Sequence, residues 1–251
     1  MSSDIWTRCG ASSEIRALSA DPWRIVEAQH QIATRKLVDS DAEQALLEDV
    51  LERYKPPVVE GGRLHYLLFT PFRYPPLPHG SRFATRLERG IWYGAERLRT
   101  AFAEVAYYRL LFLEGTDADL GPLATDLSAF RVRVRTSRGL DLTAPPFRPC
   151  RERLASKTSY AGTQPLGTAM REAGVEAFRY ESARDVEGGV NVGAFTPRAL
   201  ASRRPSGLQT WHAVATRAGV EVSSRDYLAR GSFTFSRREF LVKGTLPWPA
   251  A

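Results

Sequence analysis

FRYPPLPHGSRFATRLERGIWYGAERLRTAFAEVAYYR, residues 72–109, is the stretch on which the fold turns. Its first part is punctuation: four prolines fall between Pro71 and Gly80, and proline carries no backbone donor, so a loop is expected there. Gly90 to Tyr93 then reads as a short strand. From about Arg97 to Glu114 the apolar residues Leu98, Ala101, Phe102, Val105, Tyr108 and Phe112 recur at three- and four-residue steps, which predicts a helix. Glu104 sits at the margin of that apolar face, one turn from Ala101 and from Tyr108. An idle charge is costly in such a place. The plain reading is a salt bridge to Arg97, Arg109 or a loop arginine. The functional reading is a carboxylate aimed into a cleft.

Upstream, Leu64 to Phe69 reads as a strand. Between Asp21 and Tyr54 the spacing of Trp23, Ile25, Val26, Leu37, Val38, Leu46, Leu47, Val50 and Leu51 predicts two or three helices. Pro56 and Pro57 stop them and Gly61-Gly62 opens the next segment. Residues 1–60 are therefore expected as an N-terminal helical extension of a main domain over 61–251. Leu46, Val50 and Leu51 would either pack that extension onto the domain or serve a homodimer.

Downstream, Phe130 to Arg135 alternates apolar and arginine, the pattern of a half-buried strand with Arg131, Arg133 and Arg135 outward. A helix near Gln164–Ala173 should end at Gly174, followed by a strand over Val175–Ser182. Gly188, Gly189 and Asn191 suggest a turn, and three strand-like pieces fill Gln209–Val242, split at Arg217-Ala218-Gly219 and Arg230-Gly231. Helices interspersed without strict alternation, and strands clustered late, argue for an α+β mixed sheet rather than a doubly wound parallel one.

The 251 residues carry 35 Lys+Arg against 28 Asp+Glu, a net charge of +7, which favours an anionic partner such as a nucleotide, a nucleic acid or an acidic protein. Cys9 and Cys150 stand without partners at metal-ligand spacing, so neither a disulfide framework nor a metal site is implied. No long apolar run reads as a signal peptide or a bilayer span, and a cytoplasmic protein with no membrane partner is the expectation. None of His30, His65, His79 and His212 falls in a Ser/His/Asp pattern. Glycine-rich dinucleotide or phosphate motifs are missing as well, so nothing favours a recycled hydride cofactor.

Arg73 and Arg82 each lie beside an aromatic residue, in Phe72-Arg73-Tyr74 and Ser81-Arg82-Phe83. Guanidinium forks near ring faces suit a dinucleotide, since arginine holds pyrophosphate oxygens while a ring stacks on a base. In order and spacing these segments resemble the RES domain family, named for an arginine, a glutamate and a serine. The similarity runs from about Phe72 to Leu200. It comprises Arg73-Tyr74, the turn Gly80-Ser81-Arg82-Phe83, the strand Ile91-Trp92-Tyr93, the helix segment Thr100-Ala101-Phe102-Ala103-Glu104, the strand Phe178 to Ser182, and Asn191 to Pro197. Many members read Gly-Gly-Arg-Trp-Asn at the arginine turn; here Ala84 and Thr85 follow Phe83, so one asparagine contact is lost.

The resemblance implies a fold similar to ADP-ribosyltransferases, with NAD+ as a consumed substrate and no recycled cofactor. It also implies a role as the toxin of a bacterial toxin–antitoxin pair whose antitoxin is an Xre-type helix-turn-helix protein. Glu104, Arg82 and Ser182 would form the catalytic set. Arg73, Tyr74, Tyr93 and Asn191 would bind substrate, the arginines on pyrophosphate or ribose and the tyrosines flanking nicotinamide or ribose. NAD+ glycohydrolase or phosphorylase activity follows as the leading expectation. Two alternatives remain at this stage: ADP-ribosyl transfer to a macromolecule, and nucleic-acid binding through Arg131, Arg133 and Arg135.

Overall fold

The computed structural model describes residues 5–28, 38–56, 64–226 and 231–248. The one-turn helix α1 (Ile5–Arg8) leads into strands β1 (Arg16–Ala20) and β2 (Trp23–Glu27), then helices α2 (Asp41–Tyr54) and α3 (Tyr66–Arg73). Strand β3 (Trp92–Ala95) feeds the long helix α4 (Leu98–Glu114), followed by β4 (Leu123–Arg131) and β5 (Val134–Asp141). Short helix α5 (Arg151–Leu154) and helix α6 (Thr163–Glu172) precede β6 (Ala177–Glu181) and β7 (Val190–Ala194). Three more strands close the chain: β8 (Ser206–Thr216), β9 (Gly219–Ser224) and β10 (Ser232–Ser236).

These ten strands make one sheet in the order β1-β5-β6-β7-β3-β2-β4-β8-β9-β10. Only β5 and β6 run parallel; the other neighbours are antiparallel. The expected α+β architecture with a mixed sheet is what the chain adopts. Successive residues of a strand face opposite sides, and the core divides accordingly. On one side α3 buries Leu68 against Trp92, Val192 and Ala194. On the other, α4 buries Phe102, Tyr107 and Leu110 against Trp211, Val222 and Phe235, while α6 buries Leu166 and Met170 against Phe83, Phe147 and Phe178.

Helix α4 covers the expected span because alanines at 101, 103 and 106 let its backbone approach the sheet and favour the helical state. It stops at Gly115, whose N–H bonds back to Leu111 O and Phe112 O. Helix α6 ends before Gly174, where φ of +72° favours glycine. The hairpin at Arg217-Ala218 and the three late strands also stand where the sequence put them. Of the expected breaks, Gly61-Gly62 and Arg230 lie outside the described residues.

Three assignments change. Arg16–Ala20 and Trp23–Glu27 are strands, so the helical run expected from Asp21 is confined to α2, and Leu37 lies outside the described residues. Pro22 precedes a five-residue run rich in β-formers, and β2 pairs with β4 at all five positions from Trp23 to Glu27. The first 60 residues thus supply a central strand rather than an appended helical unit. The apolar row of α2 does not pack onto the domain: Leu46, Val50 and Leu51 are 64%, 40% and 43% exposed.

Leu64–Phe69, expected as a strand, falls mostly in α3 (Tyr66–Arg73) instead, and the helix runs on into the start of the expected loop. A short apolar run does not distinguish strand from buried helix, and His65 Nδ1 accepts from Leu67 N at 3.3 Å to start the helix. The arginine row is likewise divided. Arg131 ends β4 and lies 4.6 Å over the Trp23 ring, Arg133 pairs with Asp21, and Arg135 belongs to β5. That leaves no continuous cationic strand face for nucleic acid.

Losing a buried tryptophan costs about 3–5 kcal/mol, a large part of the roughly 5–15 kcal/mol that holds a domain together. Residues 1–28 carry Trp23 and the whole of β2, so their removal should abolish cooperative unfolding in urea followed by circular dichroism. A truncated chain with a sharp transition of normal amplitude would contradict the central place given to β2.

Candidate functional site

Strand β3 pairs with β7 along its length but meets β2 only at Trp23↔Ala95. Beyond that pair the sheet is split, and a cavity of about 700 Å³ opens beside the free edge of β2. All five residues from Trp23 to Glu27 line it, as expected for a strand presenting its edge rather than one face. The volume falls in the range of small-ligand pockets, about 300–1,000 Å³.

Glu104 reaches this cavity from α4. Its Oε1 accepts from Ser182 Oγ and from Asn191 Nδ2, both at 2.7 Å. Ser182 Oγ in turn accepts from the backbone N–H groups of Arg184 and Asp185, each at 3.1 Å. A hydroxyl has one proton to give, so those two bonds leave the Ser182 proton for Glu104. Asn191 stands on β7 opposite both Tyr180 and Ala95, which sets its amide under α4. The salt bridges expected for Glu104 do not form. Arg97 pairs with Asp185 and Glu187, and Arg109 with Glu27.

The loop carrying Ser182 is fastened to α4 a second time. The Asp185 carboxylate, wholly buried, accepts from Thr100 Oγ1 at 2.6 Å and from Arg99, which also reaches Glu239.

Arg82 is 8% exposed and lines the cavity. Its Nη1 donates to Ser156 O at 2.8 Å and Leu154 O at 3.3 Å, and its guanidinium lies 5.0 Å over the Tyr160 ring. The turn that aims it depends on Gly80, with φ of +76°, where a Cβ would meet Ala84 O at 2.4 Å. Tyr93 lines the same wall, its hydroxyl 3.1 Å from Ser81 Oγ. Burial pushes the Tyr93 phenol up to about 12, so it keeps its proton at any physiological pH.

Of the seven residues expected from the sequence, Glu104, Arg82, Ser182, Tyr93 and Asn191 come together, Ser182 behind Glu104 rather than on the cavity surface. Arg73 and Tyr74 do not. Because residues 66–73 form α3, Arg73 is carried to the Trp92 side of the sheet, where its Nε donates to Pro56 O at 2.5 Å.

Two arginines that the sequence reading passed over take that place. Arg24, on β2, donates through Nη1 to Tyr93 O at 2.6 Å, while its buried Nε has no hydrogen-bond partner. Burial lowers it to about 10, still cationic at neutral pH. Arg184 is 2% exposed, lies 3.5 Å over the Tyr107 ring, and donates through Nη1 to Lys157 O at 3.1 Å. Its Nη2 is unpartnered. Arg24, Arg82 and Arg184 all line the cavity and none pairs with a carboxylate among the described residues. A buried Asn191 Oδ1, also unpartnered, completes the polar wall. The readable sign of Arg184 was its place two residues after Ser182; Arg24 was hidden by assigning Trp23–Val26 to a helix.

The family model of the RES domain matches residues 57–216. This chain belongs to the RES domain family. Strands β1 and β2 precede the matched stretch, so Arg24 enters the cavity of this RES protein from outside it. Among solved structures, the chain is similar to the M. tuberculosis MbcT-MbcA toxin-antitoxin complex at 16% identity and a TM-score of 0.46, covering 85% of this chain and 93% of that one. No curated protein matches the RES chain in sequence.

Substituting Ser182→Ala strips Glu104 of one donor and leaves two buried N–H groups without their acceptor. Each such loss costs about 1–3 kcal/mol. The urea midpoint of Ser182→Ala should fall accordingly, while Ser182→Thr, which keeps the hydroxyl, should lose less. Equal midpoints for wild type and Ser182→Ala would show that the Ser182–Glu104 bond carries no weight.

Proposed function

We propose that this RES protein cleaves the nicotinamide–ribose bond of NAD+ and acts as the toxin of a toxin–antitoxin pair. The observation that carries the reading is the charge arrangement of the cavity: a carboxylate fixed by neutral donors shares it with three guanidinium groups, those of Arg82 and Arg184 buried and that of Arg24 partly so, that lack anionic partners among the described residues. NAD+ answers both halves. Its pyrophosphate is a diphosphate anion suited to arginine forks, and its nicotinamide end carries the positive charge that passes to ribose as the bond breaks.

Nicotinamide is bound to ribose as a pyridinium. When the C–N bond breaks, its electron pair stays with the ring nitrogen, which leaves neutral, and no strong general acid is needed. The charge left on the ribosyl carbon is oxocarbenium-like, and a nearby carboxylate stabilises it. Glu104 Oε2 takes no hydrogen bond from a described residue, which frees it for that carbon or for the attacking oxygen. Water would yield ADP-ribose, its released proton passing to Glu104; phosphate would yield the corresponding 1-phosphate. Ser182 and Asn191 hold Oε1 and so position the charge. Arg82 and Arg184 grip the pyrophosphate, with Arg24 beside Tyr93 at the ribose or nicotinamide end.

Depletion of NAD+ would halt growth in the cytoplasm, and an Xre-type helix-turn-helix antitoxin would restrain it. Among the described residues no helix is long and apolar enough to cross a membrane.

The test is incubation of purified protein with NAD+, following nicotinamide by chromatography with and without phosphate. Removing one preorganised electrostatic contact typically costs about 10²–10³ in kcat, and Glu104→Gln should lose that much with KM little changed. Arg184→Ala should chiefly raise KM. If wild type leaves NAD+ intact under every acceptor tried, the reading fails. If labelled NAD+ instead marks a protein or nucleic acid, the small-molecule acceptor is wrong.

A further inference from the structure

The chain's two cysteines are the nucleophiles that this chemistry leaves unused. Cys9 and Cys150 are 141 positions apart, both free thiols, with Sγ–Sγ of 3.8 Å. A buried residue touches about 6–12 others, so two cysteines placed at random in a chain of this length would meet roughly once in twenty to forty times. The meeting point is also particular. Cys150 belongs to the core cluster that holds Phe83, next to Arg82, and the partly buried Cys9 packs against that cluster. Cys150 immediately precedes α5, whose last residue, Leu154, gives Arg82 one of its two carbonyl acceptors.

We propose that Cys9 and Cys150 form a thiol–disulfide site, oxidised by small-molecule disulfides, whose closure pins the N-terminal segment to the scaffold beneath Arg82. A disulfide needs the sulfurs at about 2.05 Å, so they must approach by about 1.8 Å. Cys9 lies in the turn after α1, ahead of Gly10 with φ of +57°, so closure asks that turn to shift toward Cys150. Cys9 is the more accessible of the two and reacts first. Its thiolate attacks the external disulfide and expels one thiolate, giving a mixed disulfide. Cys150, as thiolate, then attacks Cys9 Sγ and expels the second. Two protein thiols are oxidised and one external disulfide is reduced to two thiols, which take up the two protons.

Burial, reinforced by the hydrogen bond with Cys150, pushes the Cys9 thiol up to about 11. Little of it is thiolate at neutral pH, so closure is slow. Once closed, the bond spans more than half the chain, where cross-linking constrains the unfolded state most.

The test uses the reduced full-length protein in native buffer with excess oxidised glutathione, read by intact mass, thiol titration and thermal unfolding. The expected result is a monomer that loses two hydrogens and both titratable thiols. Its unfolding midpoint should rise by about 5 °C or more, a gain reversed by reductant. Cys9→Ser, altered at the less buried position, should show neither the mass loss nor the shift. A lasting glutathione adduct, a cross-linked dimer, or thiols that stay free while the urea-unfolded chain oxidises would each overturn the proposal. So would closure that leaves the midpoint unchanged or lower. None of these readouts depends on NAD+.

Discussion

Glu104 is held by an alcohol and an amide, and the rest of the site follows from that choice of partners. Taking a carboxylate out of water costs several kcal/mol. Two hydrogen bonds to a charged group, each contributing about 1.5–3 kcal/mol, offset much of this without cancelling the charge. A lysine or arginine in the same place would also satisfy Oε1, but it would neutralise the field that the cavity sees. Of the arginines that could have paired with it, Arg97 and Arg109 are engaged by acidic partners and Arg82 by carbonyls, and Arg24 and Arg184 make no ion pair with it.

The fold serves this arrangement through a defect in its own ladder. A sheet paired throughout would have no opening between β3 and β2. Meeting at one residue pair, these strands part, and the edge of β2 becomes a wall. Helix α4 roofs the gap with Glu104, the Gly80 turn supplies Arg82 from one side, and the loop after β6 supplies Ser182 and Arg184. The division between an α4 core and an α6 core falls at the same place, so the cavity lies where two packing units meet.

Much of this was legible in the sequence, and what was not has physical reasons. Helix α4 was plain from its length and apolar content, but its face was misread: Tyr108 and Phe112 are 50% and 61% exposed, and the buried side runs through Phe102, Ala103, Tyr107 and Leu110. Glu104 still stood out as a charge beside buried residues. Arg82 was marked by a Pro/Gly-rich turn, Ser182 by a strand end. Short segments misled. Five residues from Trp23 to Glu27 fit a helical spacing only when read together with leucines of a separate element. The short run Leu64–Phe69 carries no period that separates strand from helix, and it falls mostly in the eight-residue α3. Both errors displaced an arginine: one hid Arg24, and the other put Arg73 on the wrong side of the sheet. Arg184 was marked only by its nearness to Ser182, since its lack of an anionic partner is a property of space and not of sequence.

Thr100 and Glu104 are one helical turn apart, and Asp185 and Ser182 lie in a single short loop. The helix and the loop are therefore stitched twice, at adjacent rungs. Rolling α4 about its axis, or sliding it along, would tear both stitches in the same movement, so the carboxylate keeps its bearing unless the loop comes away entirely. A change that turns Glu104 aside must therefore also free Asp185 from Thr100.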